Sequence, residues 1–268
     1  KLDTLSKPVL MKIRGTVHES PILSEVFVPN LRELDTVQIA VDFDEYKRAL
    51  NADINLPYVN YNGYTIDSLA FKLISNDKNM DFGFGLKDLV AGPVNIKNTR
   101  IGGRVTNNMM YLDFLSLDED EKLMHILALI TQEDDNLKIH IDDKDLILNR
   151  NKWRVNPNNS ILFTDANTVF EDFKLSFEDQ IVEVSNNLPG ISKEHLGVNF
   201  KNFRLSSILN LLNPNESLVK GILNGDFIVE DPFTSPGMLA DLNIKQFEVL
   251  QTDMGTLKVS GKSKGAGG

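Results

Sequence analysis

The sequence has no cysteine and a single tryptophan among its 268 residues. Without cysteine the chain can form neither disulfide bonds nor thiolate metal sites. Alanine, the strongest helix former, occurs only nine times. No run approaches the roughly 20 apolar residues of a membrane-spanning helix, and the N-terminal residues lack the apolar core and cleavage site of a signal peptide. We therefore expect a folded chain with little helix that, as given, spans no membrane.

Basic residues are also fewer than acidic residues. The chain has 28 Lys and Arg against 38 Asp and Glu, which gives a formal net charge of -10. Proteins that bind DNA or RNA draw much of their affinity from clustered basic side chains. This charge balance argues against nucleic acid as a partner.

Short segments in which apolar and polar residues alternate recur along the chain. In residues 9–17, Met11 and Ile13 alternate with Lys12 and Arg14, which is the period of a half-buried strand. The same period appears in residues 36–44, 79–86, 136–143, 168–179, 195–203 and 225–231. Helices of the length needed for parallel βαβ units are missing between these segments. The sequence therefore predicts an all-β fold with a long antiparallel sheet.

Helical periodicity is clear in one place, where Leu205, Ile208, Leu209 and Leu212 share one face. This spacing predicts one short helix near residues 205–213. The apolar run that follows Glu119 ends in β-branched residues and favours a strand.

Two glycines, Gly221 and Gly225, lie four residues apart in one alternating segment. Glycines inside a strand are typical of a bulge, sharp curvature or close backbone approach, and here we infer curvature. We expect residues 1–261 to form one elongated β-segment, with a bend near residues 186–195 where turn-forming residues cluster. Residues 262–268 have the composition of a disordered tail or linker.

No set of catalytic or metal-binding residues stands out. The DFG tripeptide at residues 81–83 lacks the other kinase motifs, and the four histidines have no metal-ligand spacing. Acidic clusters at residues 117–122, 132–136 and 141–145 do not match a calcium-binding loop. We expect no metal and no other cofactor, and an enzyme is the least favoured class. Trp153 is expected to pack in a core or wall.

The second half of the chain resembles a known family. Residues 218–261 contain a G-x-x-x-G strand, a proline-bearing turn, an ADL-x-I strand and a late G-x-L strand, in that order. Residues 146–163 and 197–212 carry further similarity, whereas the first half is similar only in the rhythm of its strands. In these features the chain resembles the translocation-and-assembly-module B (TamB) family of AsmA-like proteins of the Gram-negative cell envelope.

The resemblance implies a sheet curved into a U-shaped β-taco groove with an apolar interior. It implies that the chain is an internal segment of an inner-membrane-anchored protein that bridges the periplasm, where it conducts phospholipid to the outer membrane. Roles in outer-membrane protein assembly beside a barrel partner are also implied. The one-sided strands supply the apolar side chains that we expect to line the groove: Ile39, Val41, Phe43, Phe71, Phe82, Phe84, Phe114, Ile139, Phe173, Leu175, Phe177, Val198, Phe200, Phe227 and Val229.

Two alternatives use the same strands differently. In the first, the segment is a scaffold or chaperone whose exposed strand edges pair with outer-membrane proteins by β-augmentation. In the second, two sheets close into an ordinary sandwich that acts as a binding module.

Overall fold

The computed structural model describes residues 7–165 and 167–263. Within these residues the secondary structure is antiparallel β-sheet with two short helical segments, which confirms the all-β class. The chain forms two compact units, which divide between Leu117 and Asp118. That residues 1–261 form one elongated segment stays a prediction. No helix in the described part of the chain has the length and apolar character needed to cross a membrane.

Unit 1 is built around one antiparallel sheet in which β1 pairs with β3, β3 to β8 follow one another in sequence order, and β2 pairs with β4. Tight turns join the long strands, and Asn62 and Gly63 occupy one of them with positive φ, the conformation that two-residue hairpin turns favour. The elements are β1 (Leu10–Val17), a π-helical turn (Leu23–Phe27), β2 (Leu31–Leu34), β3 (Val37–Asp44), β4 (Ala49–Tyr61), β5 (Tyr64–Ser75), β6 (Asn79–Ala91), β7 (Val94–Thr106) and β8 (Met109–Asp118).

Unit 2 contains two groups of strands. The first is β9, β10, β14 and β15 in that order, with β11 also paired to β9, and the second is β13, β16, β17, β18, β19, β20 and β21. The elements are β9 (Glu121–Glu133), β10 (Asn136–Ile141), β11 (Ile147–Leu148), β12 (Asn151–Lys152), β13 (Arg154–Val155), β14 (Ser160–Phe163), β15 (Thr168–Glu171), β16 (Lys174–Phe177), β17 (Gln180–Ser185), β18 (His195–Arg204), α1 (Ser206–Leu209), β19 (Val219–Glu230), β20 (Gly237–Val249) and β21 (Thr252–Ser263). The apolar run after Glu119 is thus a strand, as predicted.

Trp153 lies at the centre of a small core in unit 2. Its side chain is 0% exposed, and its ring centroid lies 5.9 Å from that of Phe177 and 6.1 Å from that of Phe203. This confirms the prediction that Trp153 packs in a core or wall. The other buried apolar residues in the described part of unit 2 are Leu123, Met124, Leu146, Leu148, Val155, Phe203, Leu218, Leu223 and Ile228.

The predicted helix is present but has only four residues, and its first turn is anchored by a buried side chain outside it. The Oε1 atom of Gln180 accepts hydrogen bonds from the backbone N–H of Arg204 and the hydroxyl of Ser207, both at 2.9 Å. After Leu209 the backbone bonds span three residues instead of four, as from Leu212 N to Leu209 O. The segment therefore tightens into turns before Pro214.

The two glycines of β19 serve different purposes. The pairing between β19 and β20 shifts register between Lys220 and Ile222, so Gly221 lies at a bulge, whereas the sequence analysis inferred curvature. Gly225 has φ +118, and a Cβ atom there would lie 1.9 Å from the backbone oxygen of Asp241. Gly225 therefore permits a close approach of the two backbones.

The predicted bend falls in a loop, and the predicted tail begins within a strand. Residues 186–194 form the loop between β17 and β18, where the sequence predicted a bend. Strand β21 includes Lys262 and Ser263, the first two residues of the predicted tail, and is exposed along its whole length. Residues 264–268 lie outside the described residues.

Candidate functional site

One side of the unit 1 sheet carries an unbroken row of large apolar side chains. Residues that pair directly in an antiparallel sheet point to the same side. Each member of the row pairs with the next across five successive strand pairs. In order from β3 to β8, the row is Ile39, Ile54, Phe71, Phe84, Ile101 and Phe114.

A second row lies beside the first on the same side of the sheet, because side chains two residues apart on a strand share a face. It consists of Ile13, Val41, Ala52, Leu73, Phe82, Gly103 and Leu112. The ring of Phe82 covers Gly103, since a Cβ atom there would lie 2.3 Å from Cζ of Phe82. We call these two rows, with Phe43 beside them, the apolar face of unit 1.

The apolar face of unit 1 is not filled into a closed core. Phe84 and Ile101, at the centre of the first row, are each 40% exposed. Among the described residues of unit 1, only Leu115 and Ser116 are buried. An ordinary domain of this length buries many of its large apolar side chains. The face therefore offers apolar surface to a ligand.

The opposite side of the same sheet is polar. Arg14 binds Asp42 at 2.7 Å and Arg104 binds Asp81 at 2.5 Å. The hydrogen bond from Arg14 lowers the pKa of Asp42, and the hydrogen bond to Asp81 raises the pKa of Arg104. Asp81 belongs to the DFG tripeptide, which here is one step of a strand whose aspartate forms an ion pair. The sheet thus has one charged and one apolar side.

A second group of predicted lining residues shares one side of the seven-stranded sheet in unit 2. Leu175 is linked through Val182 to Phe200, and Val198 pairs with Phe227. Six predicted residues share this side, namely Leu175, Phe177, Val198, Phe200, Phe227 and Val229. Phe173 lies just before β16 and packs edge-to-face against Phe170 instead.

Two further predicted residues also have other surroundings. Phe177 contacts the ring of Trp153 and so belongs to the small core of unit 2. Ile139 lies in the other group of strands, between Ile130 on β9 and Ile161 on β14. The remaining seven predicted residues, from Ile39 to Phe114, all belong to the apolar face of unit 1.

The prediction omitted several members of the apolar face of unit 1. Ile54 follows Ala52 and precedes Leu56 in a regular alternation, so its place could have been found from the sequence. Ile101 is harder to place, because the two glycines after it interrupt the alternation of β7. Its side is defined by its pairing with Phe84 and Phe114.

Neither metal chemistry nor known relatives provide a further assignment. The described residues include no group of three or more histidine, aspartate or glutamate side chains placed to hold a metal ion. Comparisons with protein-family models, characterised proteins and solved structures each found no match to the chain. The geometry of the apolar surfaces is therefore what indicates a function.

Proposed function

We propose that the chain binds phospholipid acyl chains on the apolar face of unit 1 and conducts them between two membranes. The observation that carries this proposal is the unbroken row from Ile39 to Phe114, whose central side chains stay 40% exposed. Large contiguous apolar surfaces on soluble domains usually mark binding sites. A ligand with an extended hydrocarbon chain fits a row of this kind, because the row has no polar interruption.

The dimensions and energies suit an acyl chain. Five strand spacings of about 4.8 Å make the row about 24 Å long. One leaflet of a bilayer core, which an acyl chain spans, is about 15 Å thick. Transfer of a lipid with some thirty methylenes into water would cost about 25 kcal/mol of free energy, at roughly 0.8 kcal/mol for each methylene. An apolar path would remove most of that barrier.

The resemblance to the TamB family extends this proposal to a location. The chain would be an internal segment of a periplasmic bridge that carries phospholipid between the inner and outer membranes. The charged side of the unit 1 sheet, with its Arg14–Asp42 and Arg104–Asp81 ion pairs, suits contact with water while the apolar face holds lipid.

Two isoleucines on opposite sides of the same sheet provide a matched test. Ile101 lies on the apolar face, and Ile74 lies on the polar side between Asn51 and Asp81 with 50% exposure. We expect Ile101→Asp to lower the amount of bound phospholipid at least about tenfold, because a carboxylate must lose its water beside an acyl chain. Ile74→Asp should bind lipid like the unchanged protein.

Bound lipid would be measured by native mass spectrometry and by the phosphorus content of the purified proteins, with circular dichroism to verify folding. Equal lipid loading of the two folded variants would contradict the proposal. So would the absence of lipid from the unchanged protein after incubation with phospholipid vesicles.

A second candidate function is supported by β21. All twelve residues of this edge strand are exposed, so its free backbone groups can pair with another strand. In this function the chain is a scaffold for outer-membrane proteins that works beside an assembly barrel. A photo-crosslinker at Leu257 would then capture polypeptide, whereas a crosslinker at Ile101 would capture lipid if the first function is correct.

A further inference from the structure

Unit 2 contains a cavity of about 550 Å³ between β15 and the strands β13, β16 and β17. Its walls combine apolar and polar side chains. Phe170, Phe173 and Val184 provide the apolar part, and Arg154, Asp172 and Ser176 are among the polar residues. A cavity of this size is in the range of small-molecule sites.

The charges of the cavity leave one cation and one anion free. Lys174 and Glu183 pair with each other, with 3.5 Å between Nζ and Oε2. Among the described residues, the guanidinium of Arg154 and the carboxylate of Asp172 have no hydrogen-bond or ion-pair partner. The cavity therefore presents balanced positive and negative charge to a ligand.

The free donors are placed together. Arg154 pairs directly with Ser176 across β13 and β16, so their side chains point to the same side of the sheet. The Ser176 hydroxyl also has no partner among the described residues. A guanidinium beside a hydroxyl is a donor set suited to phosphate oxygens.

A second part of the cavity wall suits an amine. Phe170 and Phe173 form an edge-to-face pair with ring centroids 5.9 Å apart, and Asp172 lies between them in sequence. An ammonium group is attracted both by a carboxylate and by the face of an aromatic ring. Asn186 fixes this wall, because its side chain accepts a hydrogen bond from Phe170 N at 2.7 Å and donates one to Thr168 O at 2.8 Å.

We infer that this cavity binds a zwitterionic head group in which a phosphate is joined to a short amine, as in phosphoethanolamine. Arg154 and Ser176 bind the phosphate, and Asp172 with the Phe170–Phe173 pair binds the ammonium. A purely anionic head group would leave Asp172 unpaired close to a phosphate. The inference deepens the proposed function by naming the lipid head group, and it therefore rests on that function.

The test uses soluble probes that have no acyl chains. Binding of phosphoethanolamine, glycerol phosphate and inorganic phosphate to the full chain would be measured by calorimetry. We expect phosphoethanolamine to bind at least about fivefold more tightly than the other two. Arg154→Gln should weaken all three probes about tenfold, because each needs the guanidinium.

Asp172→Asn should act differently. We expect it to weaken phosphoethanolamine about fivefold and to leave glycerol phosphate unchanged or tighter, so that the preference disappears. Lys201→Gln, which removes an exposed cation outside the cavity lining, is the control and should change nothing. Equal affinities of the three probes for the unchanged protein, or an Asp172→Asn variant that keeps the preference, would overturn the inference.

A second experiment distinguishes a lipid from a free zwitterion as the source of the head group. A short-chain phosphatidylethanolamine that binds the cavity, with its affinity lowered in Arg154→Gln as for phosphoethanolamine, would identify a lipid as the source. If phosphoethanolamine binds and the short-chain lipid does not, the cavity is a site for the free zwitterion, and the proposed lipid function is then decided by the lipid loading of Ile101→Asp and Ile74→Asp. If the lipid binds without head-group preference, the cavity inference fails alone.

Discussion

At the scale of single residues, Gly225 shows how closely two strands of unit 2 approach. Its φ of +118 lies where side-chain-bearing residues are strained, and a Cβ atom would meet the Asp241 backbone oxygen at 1.9 Å. Because that obstacle is backbone, it cannot move aside without shifting β20. We expect Gly225→Ala to lower the free energy of unfolding by about 3 kcal/mol, from overpacking together with the strained backbone.

Gly261 is the matched control for this prediction. It lies in β21, its φ is not in the strained region, and a Cβ atom there would have nothing within 4 Å. Gly261→Ala should change the unfolding free energy by less than about 0.5 kcal/mol. Urea unfolding followed by Trp153 fluorescence measures both variants, and equal stability of the two would show that the close approach is not rigid.

At the scale of elements, α1 is anchored at its first turn by Gln180, whose side chain accepts two hydrogen bonds there. Gln180→Leu would leave the Arg204 N–H and the Ser207 hydroxyl without their acceptor. Gln180 is buried, so we expect a loss of about 3 kcal/mol of unfolding free energy. Ser207→Ala removes only one of the two hydrogen bonds and should cost about 1 kcal/mol.

The two substitutions can be combined to separate the hydrogen bond from other effects. In the double variant the cost should be smaller than the sum of the two single costs, since Ser207→Ala removes one of the donors that Gln180→Leu leaves unsatisfied. The measurement is again urea unfolding observed through Trp153. Strict additivity would mean that Gln180 does not anchor α1.

The same elements show what the sequence can and cannot predict. Alternation is a local property, so the side on which Phe82 and Phe84 lie could be inferred from β6 alone. The rows across the sheet follow from pairing between sequence neighbours, which hairpin turns impose. The apolar face of unit 1 was therefore largely predictable, although Ile101 required the register.

Features that depend on contacts between distant segments could not be predicted in this way. The anchoring of α1 depends on Gln180, more than twenty residues earlier in the chain. The cavity between β15 and the strands β13, β16 and β17 depends on Arg154 and Asp172 lining one space. Neither residue belongs to a recognisable motif. The place of Ile139 apart from the other lining residues also follows from sheet topology rather than from its own alternating segment.

At the scale of the whole molecule, the two units differ in how they are stabilised. Unit 2 has a core around Trp153, whereas the described part of unit 1 buries only Leu115 and Ser116. Burial of apolar area is the main favourable term in folding. Unit 1 should therefore be the less stable unit while its apolar face is bare.

This difference predicts two separate unfolding transitions. Trp153, the single tryptophan, reports on unit 2 alone, whereas far-UV circular dichroism reports on the strands of both units. In urea, the circular dichroism signal should begin to fall at a lower concentration than the fluorescence signal. Coincident transitions would show that the chain unfolds as one cooperative body.

Bound lipid should reduce the difference in urea concentration between the two unfolding transitions. A ligand that binds only the folded state stabilises it by about 2.7 kcal/mol when its concentration is 100 times its dissociation constant. A short-chain phospholipid at that ratio should therefore raise the midpoint of the earlier transition while leaving the Trp153 transition less changed. Ile101→Asp should abolish the shift and Ile74→Asp should keep it, because only the first places a charge on the apolar face. A shift of the same size in both variants would mean that the lipid acts elsewhere on the molecule.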